Sequence, residues 1–148
     1  MIELDLRISE PVWSERIPDL NSICEKALNA AAAKAGTSGE VCVLLTDDDE
    51  IQALNKQWRG KDKPTDVLSF PGDPMDAPFL GDIAISWGVM QGDADARKLT
   101  LPQHLSHLLI HGLLHLLGHD HKDDTEAAEM ESLEIVALAS LGWPDPYV

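Results

Sequence analysis

The sequence predicts an α+β fold: a single domain over residues 1–148, with a small mixed β-sheet packed against about five helices. Three observations carry that prediction. Apolar residues recur every second position in short stretches and at helical spacing in longer ones, and the two kinds alternate along the chain. Thr, Pro and Gly stand where helices start and stop. No repeat, low-complexity tract or linker divides the 148 residues, of which 44% are apolar, enough for one sizeable core.

Ile2, Leu4, Leu6 and Ile8 alternate with Glu3, Asp5 and Arg7, the pattern of a strand with one buried face. Asp19 to Ala35 reads as a helix entered through Pro18 and closed by Gly36. Val41 to Leu45 is a short apolar strand. Thr46 is expected to cap the next helix, with Asp49 as its reciprocal acid and Ile51 and Leu54 on the buried side. Two further strands, Asp66 to Phe70 and Leu80 to Ser86, flank a loop rich in Pro and Gly from Pro71 to Pro78. A short helix follows near Gly88 to Lys98. Thr100 and Pro102 open a histidine-bearing helix, and a last helix runs from about Thr125 to Leu141, ended by Gly142 and Pro144. The segment Trp143 to Tyr147 is expected to lie on the surface as a tail anchored by its rings.

The net charge of −15 favours solubility and, taken alone, repels nucleic acid. Its distribution points the other way. Lys56, Arg59, Lys61 and Lys63 are four of only eleven basic residues, gathered into eight positions, while the acids cluster in Asp47 to Glu50 and between Asp120 and Glu134. A basic island in an acidic protein points to a phosphate partner, against the plainer reading of a solvated loop. Cys24 and Cys42 have no metal or redox spacing and read as small core residues. The charged N-terminus is no signal peptide, and Gln103, Ser106 and the histidines interrupt the apolar run from Leu101 to Leu117. A cytoplasmic location is therefore expected, with no membrane partner.

Chemistry concentrates in His111-Gly112-Leu113-Leu114-His115-Leu116-Leu117-Gly118-His119-Asp120-His121, four histidines within eleven residues. On a helix His111 and His115 lie one above the other. Gly118 can end that helix in a left-handed conformation and turn the following residues back toward the same face. His121 is then the favoured third ligand, with His119 its competitor. Three imidazoles and a water make an open tetrahedral zinc site of the catalytic kind, one Zn2+ per chain. His107 shares the stripe but stands two turns from His115, roughly 12 Å along the axis at ~1.5 Å per residue, too far to share the ion. His104 and His107 are accordingly expected to serve packing, or to orient other groups. The acids of the last helix read mostly as its wet face, with Glu129 or Asp120 the expected partners of the histidines.

This spacing, with its glycine three residues after the second histidine, matches the zinc site of metzincin peptidases, so the helix is metzincin-like in its zinc-binding pattern. It departs where a zincin carries its glutamate base: that position is Gly112. A closer match covers more of the chain. The histidine segment, Asp62-Lys63-Pro64-Thr65-Asp66-Val67-Leu68-Ser69-Phe70-Pro71, Leu80-Gly81-Asp82-Ile83, Glu129 to Glu134 and Asp145-Pro146-Tyr147 together resemble the YbeY family of bacterial rRNA maturation factors, over roughly residues 54 to 147. The resemblance implies a zinc-dependent, single-strand-specific endoribonuclease acting in 16S rRNA 3′-end maturation and ribosome quality control. It carries the family's zinc histidines onto His111, His115 and His121, and its functional arginine onto Arg59. The family often has Tyr where this chain has His119.

On that reading Arg59 is the catalytic residue that binds the scissile phosphate, and Lys61 and Lys63 bind RNA by guiding its backbone. Such contacts give affinity and little sequence readout. Asp66, Asp82 and Asp120 stand as unranked candidates for the general base. The expected partners are single-stranded RNA, specifically rRNA, and the ribosomal small subunit or a basic ribosomal protein; DNA is not expected. Two other function classes compete: a metallohydrolase acting on a peptide or small phosphoester, and a non-catalytic assembly factor stabilised by zinc.

Overall fold

The N-terminal alternation does form a strand, and it becomes one edge of the sheet. The computed structural model describes residues 1–148. Its strands are β1 (Ile2–Ile8), β2 (Gly39–Thr46), β3 (Val67–Pro71) and β4 (Phe79–Ser86), in the order β1-β2-β4-β3. β1 and β2, and β2 and β4, pair in parallel; β3 joins β4 antiparallel, so the sheet is mixed, as expected. The helices are α1 (Val12–Arg16), α2 (Leu20–Ala35), α3 (Asp48–Arg59), α4 (Trp87–Arg97), α5 (Leu101–Leu116) and α6 (Asp124–Ser140). The five longer ones match those read from the sequence. The short α1 is an addition to them; it holds the fully buried Trp13, whose indole N–H donates to the Thr46 carbonyl at 3.0 Å.

Strand alternation divides the sheet into two unequal faces. Val41, Val43, Leu45, Ile83 and Ile85 point to one side, where α2, α5 and α6 bring Leu28, Leu109, Leu113 and Leu138 into the main core. Each such side chain contributes roughly 1.5–3 kcal/mol by leaving water. The other face carries Leu44, Leu68, Phe70 and Ala84 and is covered by α3 through Ile51 and Leu54. The sheet is thus sandwiched at one end and open at the other, beyond the end of α3.

The cap of α3 differs from expectation. Thr46 is the last residue of β2, still paired with Ser86, and its hydroxyl bonds Ser9 Oγ at 2.8 Å and the Glu50 carboxylate. Ladder pairing keeps it extended, so capping passes to Asp47, whose side chain accepts from Glu50 N–H at 2.8 Å. Asp49 is not the reciprocal acid. At the histidine-bearing helix the reading holds: Thr100 caps α5 by accepting from Gln103 N–H at 3.3 Å, with Pro102 in the first turn.

α5 lies almost wholly buried, and Gly112 lets it approach the sheet. A Cβ there would sit 3.0 Å from Ile83 Cγ2 and 3.3 Å from Ser69 Oγ, and that hydroxyl donates to the Gly112 carbonyl at 3.1 Å. The C-terminal tail folds back along the surface: Trp143 packs on the core and the Arg97 guanidinium donates to the Pro146 carbonyl at 2.9 Å. No helix is long and apolar enough to cross a membrane.

Candidate metal centre and cleft

The end of α5 builds the site. Gly118 takes φ +95°, its N–H donates to the His115 carbonyl at 3.0 Å, and His119 N–H donates to the Leu114 carbonyl at 3.0 Å. These two bonds form a Schellman turn, which satisfies helix carbonyls while reversing the chain. The reversal carries His121 back to the histidine face. The ligating atoms of His111, His115 and His121 all lie within 4.8 Å of one another. His119 lines the cleft but does not join them.

The donor set fits a metal ion. His111 Nε2 and His115 Nε2 face each other at 3.0 Å, close to the ~3.3 Å separation that two ligands on Zn–N bonds of ~2.0–2.1 Å would take in a tetrahedron. His111 Nδ1 lies 2.9 Å from Glu134 Oε2. A proton held on Nδ1 by that carboxylate leaves the Nε2 lone pair free for a cation, the usual arrangement behind a metal-bound histidine. Burial, reinforced by the neighbouring His111 and His121, holds His115 below the ordinary imidazole range. It therefore favours the neutral form, the only one that ligates.

Glu134 was not singled out by the sequence. It is 1% exposed, and besides His111 it meets His107 Nε2 at 2.6 Å and the Tyr147 hydroxyl. Burial pulls its carboxyl pKa up, but the bonds from His107, His111 and Tyr147 outweigh this and bring it to about 2. Glu129, the acid preferred from sequence, is exposed and lies outside this network. Asp120, the other choice, does reach the cluster: it accepts from His121 N–H at 2.8 Å and lies 3.7 Å from His121 Nδ1. That backbone bond lowers the Asp120 pKa. His107 orients Glu134, in line with its expected supporting role. His104 is 3% exposed and neither ring nitrogen has a partner. Tyr147 ties the tail to this centre by its ring, as anticipated, 5.7 Å from that of His107.

The histidines open into a cleft of about 820 Å³ whose opposite wall is the end of α3 and the loop after it. Arg59, Lys61 and Lys63 all line it, so three of the four residues of the basic island share the cleft with the three imidazoles; Lys56 lies outside it, 3.8 Å from Asp62. The loop is pinned by the buried Asn55, whose amide donates to the Lys63 carbonyl at 2.9 Å while its backbone carbonyl accepts from Lys61 N–H at 3.2 Å. The Arg59 guanidinium donates to the Ser69 carbonyl and lies 5.5 Å from the Phe70 ring centre. Among the three carboxylates considered as bases, Asp66 and Asp120 line this cleft; Asp82 opens instead onto the other face of the sheet. The packing at Gly112 explains why no zincin-type glutamate stands there: the sheet already fills that space.

Comparison with known proteins places the chain among relatives that share its sequence over most of their length. The sequence profile of the Endoribonuclease YbeY family matches residues 8–142. A Paramagnetospirillum magneticum protein named Endoribonuclease YbeY is 45% identical over 158 residues, spanning 99% of this chain and 96% of its own. A Bradyrhizobium protein of the same name is 47% identical over 152 residues, spanning 95% and 89%. The solution structure of TM1509 from Thermotoga maritima superposes with a TM-score of 0.59 at 28% identity, covering 96% of this chain and 92% of that one.

Proposed function

The chain belongs to the Endoribonuclease YbeY family, and on that premise we propose that it is a zinc-dependent endoribonuclease that cuts single-stranded RNA in the cleft between α3 and α5. The observation that carries this reading is the meeting of three convergent imidazoles and one arginine across a single cleft. His111, His115 and His121 would hold one Zn2+. Bound there, zinc would supply Lewis acidity, drawing charge from a phosphoryl oxygen and making water acidic enough to ionise near neutral pH.

The protein's own residues do the rest. Glu134 fixes the His111 ring, and Asp120 steadies His121. Arg59 commits a guanidinium N–H to Ser69 and has further donors left to fork onto the phosphate and stabilise the charge that builds on it. Lys61 and Lys63 draw the backbone toward it. Because these contacts reach phosphate, selectivity comes from the unpaired state and shape of the RNA. The substrate assigned by this reading is the 3′ end of 16S rRNA, processed in the cytoplasm on the small ribosomal subunit during maturation and quality control. The acidic remainder of the surface suits a basic ribosomal protein that presents it.

Arg59→Ala tests the division of labour. Cleavage of a single-stranded RNA should fall about 10²–10³-fold, the cost of removing one charge-stabilising donor, with zinc content unchanged. Undiminished cleavage, or loss of metal and cleavage together, would overturn the role given to Arg59.

A further inference from the structure

A second groove of about 670 Å³ lies on the outer face of the sheet, where α3 ends and leaves the strands open. Leu44, Ala84 and Asp82 line it from the strands, and Leu54, Trp58 and Arg59 from α3. Its aromatic groups are Trp58 and Phe70. Trp58 is 63% exposed, unusual for the largest apolar side chain, and stands edge-on to Phe70 at 6.5 Å. Arg59 belongs to both cavities: its guanidinium lies against Phe70 on this side and borders the histidine cleft on the other.

We propose that this groove binds one unpaired nucleobase of the RNA strand whose phosphate rests at Arg59, stacking it against Trp58. The proposal rests on the RNA-cleaving function proposed above. Charge selects the base over the phosphate as occupant. The Asp82 carboxylate lies in the groove with acceptor oxygens only; it repels a phosphate and accepts from the amino edge of a base. The other basic residue of the groove, Arg7, is bound to Asp5 at 3.1 Å and is partly neutralised. Arg59 is therefore the point where the phosphate chain can cross from one cavity to the other, with its base turned toward the aromatic side. A stacking platform accepts any base with its face and requires that base to be unpaired, which gives single-strand selectivity a physical basis in this chain.

The test compares binding of a fluorescein-labelled RNA decamer and an abasic sugar-phosphate decamer to the zinc-loaded protein, by anisotropy at low temperature. Trp58 is exposed, so Trp58→Ala should fold and keep its zinc. It should bind the RNA about tenfold more weakly, within the roughly 5- to 150-fold that loss of one base stack produces. Binding of the abasic strand should be unchanged, and so should the salt dependence, because no phosphate contact is removed. Trp58→Tyr should recover most of the affinity. Equal RNA affinity in wild type and Trp58→Ala would overturn the base site and leave the nuclease reading standing. Parallel weakening for both strands would also overturn it. Failure of the wild type to bind RNA at all would instead remove the reading on which the proposal rests.

Discussion

Replacing Glu134 with Gln is expected to weaken zinc binding by about 10- to 100-fold in a protein that still folds. The magnitude follows from what the carboxylate touches. At 1% exposure it receives His111 Nδ1 at 2.9 Å on one oxygen and His107 Nε2 at 2.6 Å, with the Tyr147 hydroxyl, on the other. An amide of the same size offers one acceptor and one donor, so one of these partners must lose its acceptor. If the amide nitrogen meets His111, the ring turns its Nδ1 lone pair inward and its proton moves to Nε2, the atom that faces His115. The ligand is then protonated where it should bind. Loss of such an orienting partner commonly costs 10- to 100-fold in metal affinity, about 1.4–2.7 kcal/mol. Competition for zinc against a chromophoric chelator measures it directly. A urea titration of the metal-free protein provides the folding control, with an expected loss of about 1.5–3 kcal/mol for a broken charged hydrogen bond. Zinc affinity within about threefold of wild type for both Glu134→Gln and Glu134→Ala, each folded, would refute the view that Glu134 orients His111.

Two other perturbations follow from the same structure. Gly118→Ala meets no atom within 4 Å, so its cost is the φ of +95° alone; the urea midpoint should report a loss of about 1 kcal/mol, and Gly118→Asn should lose less. His104 sits below its ordinary pKa of 6.5, first because it is buried and then because of His107. The native state thus refuses a proton that the unfolded chain accepts, and its stability is complete above about pH 6.5 and falls as the pH drops below it. In metal-free protein the wild type should lose up to about 1.4 kcal/mol per pH unit more than His104→Leu in that window; parallel urea-midpoint profiles from about pH 7.5 to 5.5 would contradict this.

Much of the centre was legible because its geometry is local. The spacing of His111 and His115 fixes a shared helix face, and Gly118 announces the reversal that returns His121. Glu134 escaped because the acids of α6, taken together, read as a solvated face. Its own position holds the missed signal: it lies four residues after the buried Met130 and three before the buried Ala137, on the apolar stripe. Helix α1 escaped because five residues are too few to show a period. Alternation in β1 to β4 told which face of each strand is buried, but said nothing of its neighbours. The order β1-β2-β4-β3, which sets the base groove beside the cleft, is a long-range fact of packing. Thr46 illustrates the same limit: its cap chemistry is local, but its pairing with Ser86 decides the outcome.

The central claim is a metal-dependent cut in RNA made at His111, His115 and His121. The most direct measurement is zinc content paired with cleavage of a single-stranded RNA, for wild type and His115→Ala. The expected result is about one zinc per chain and metal-dependent cleavage in the wild type, both lost in the variant. Full cleavage by His115→Ala without bound zinc, or a wild type that binds no metal, would contradict it.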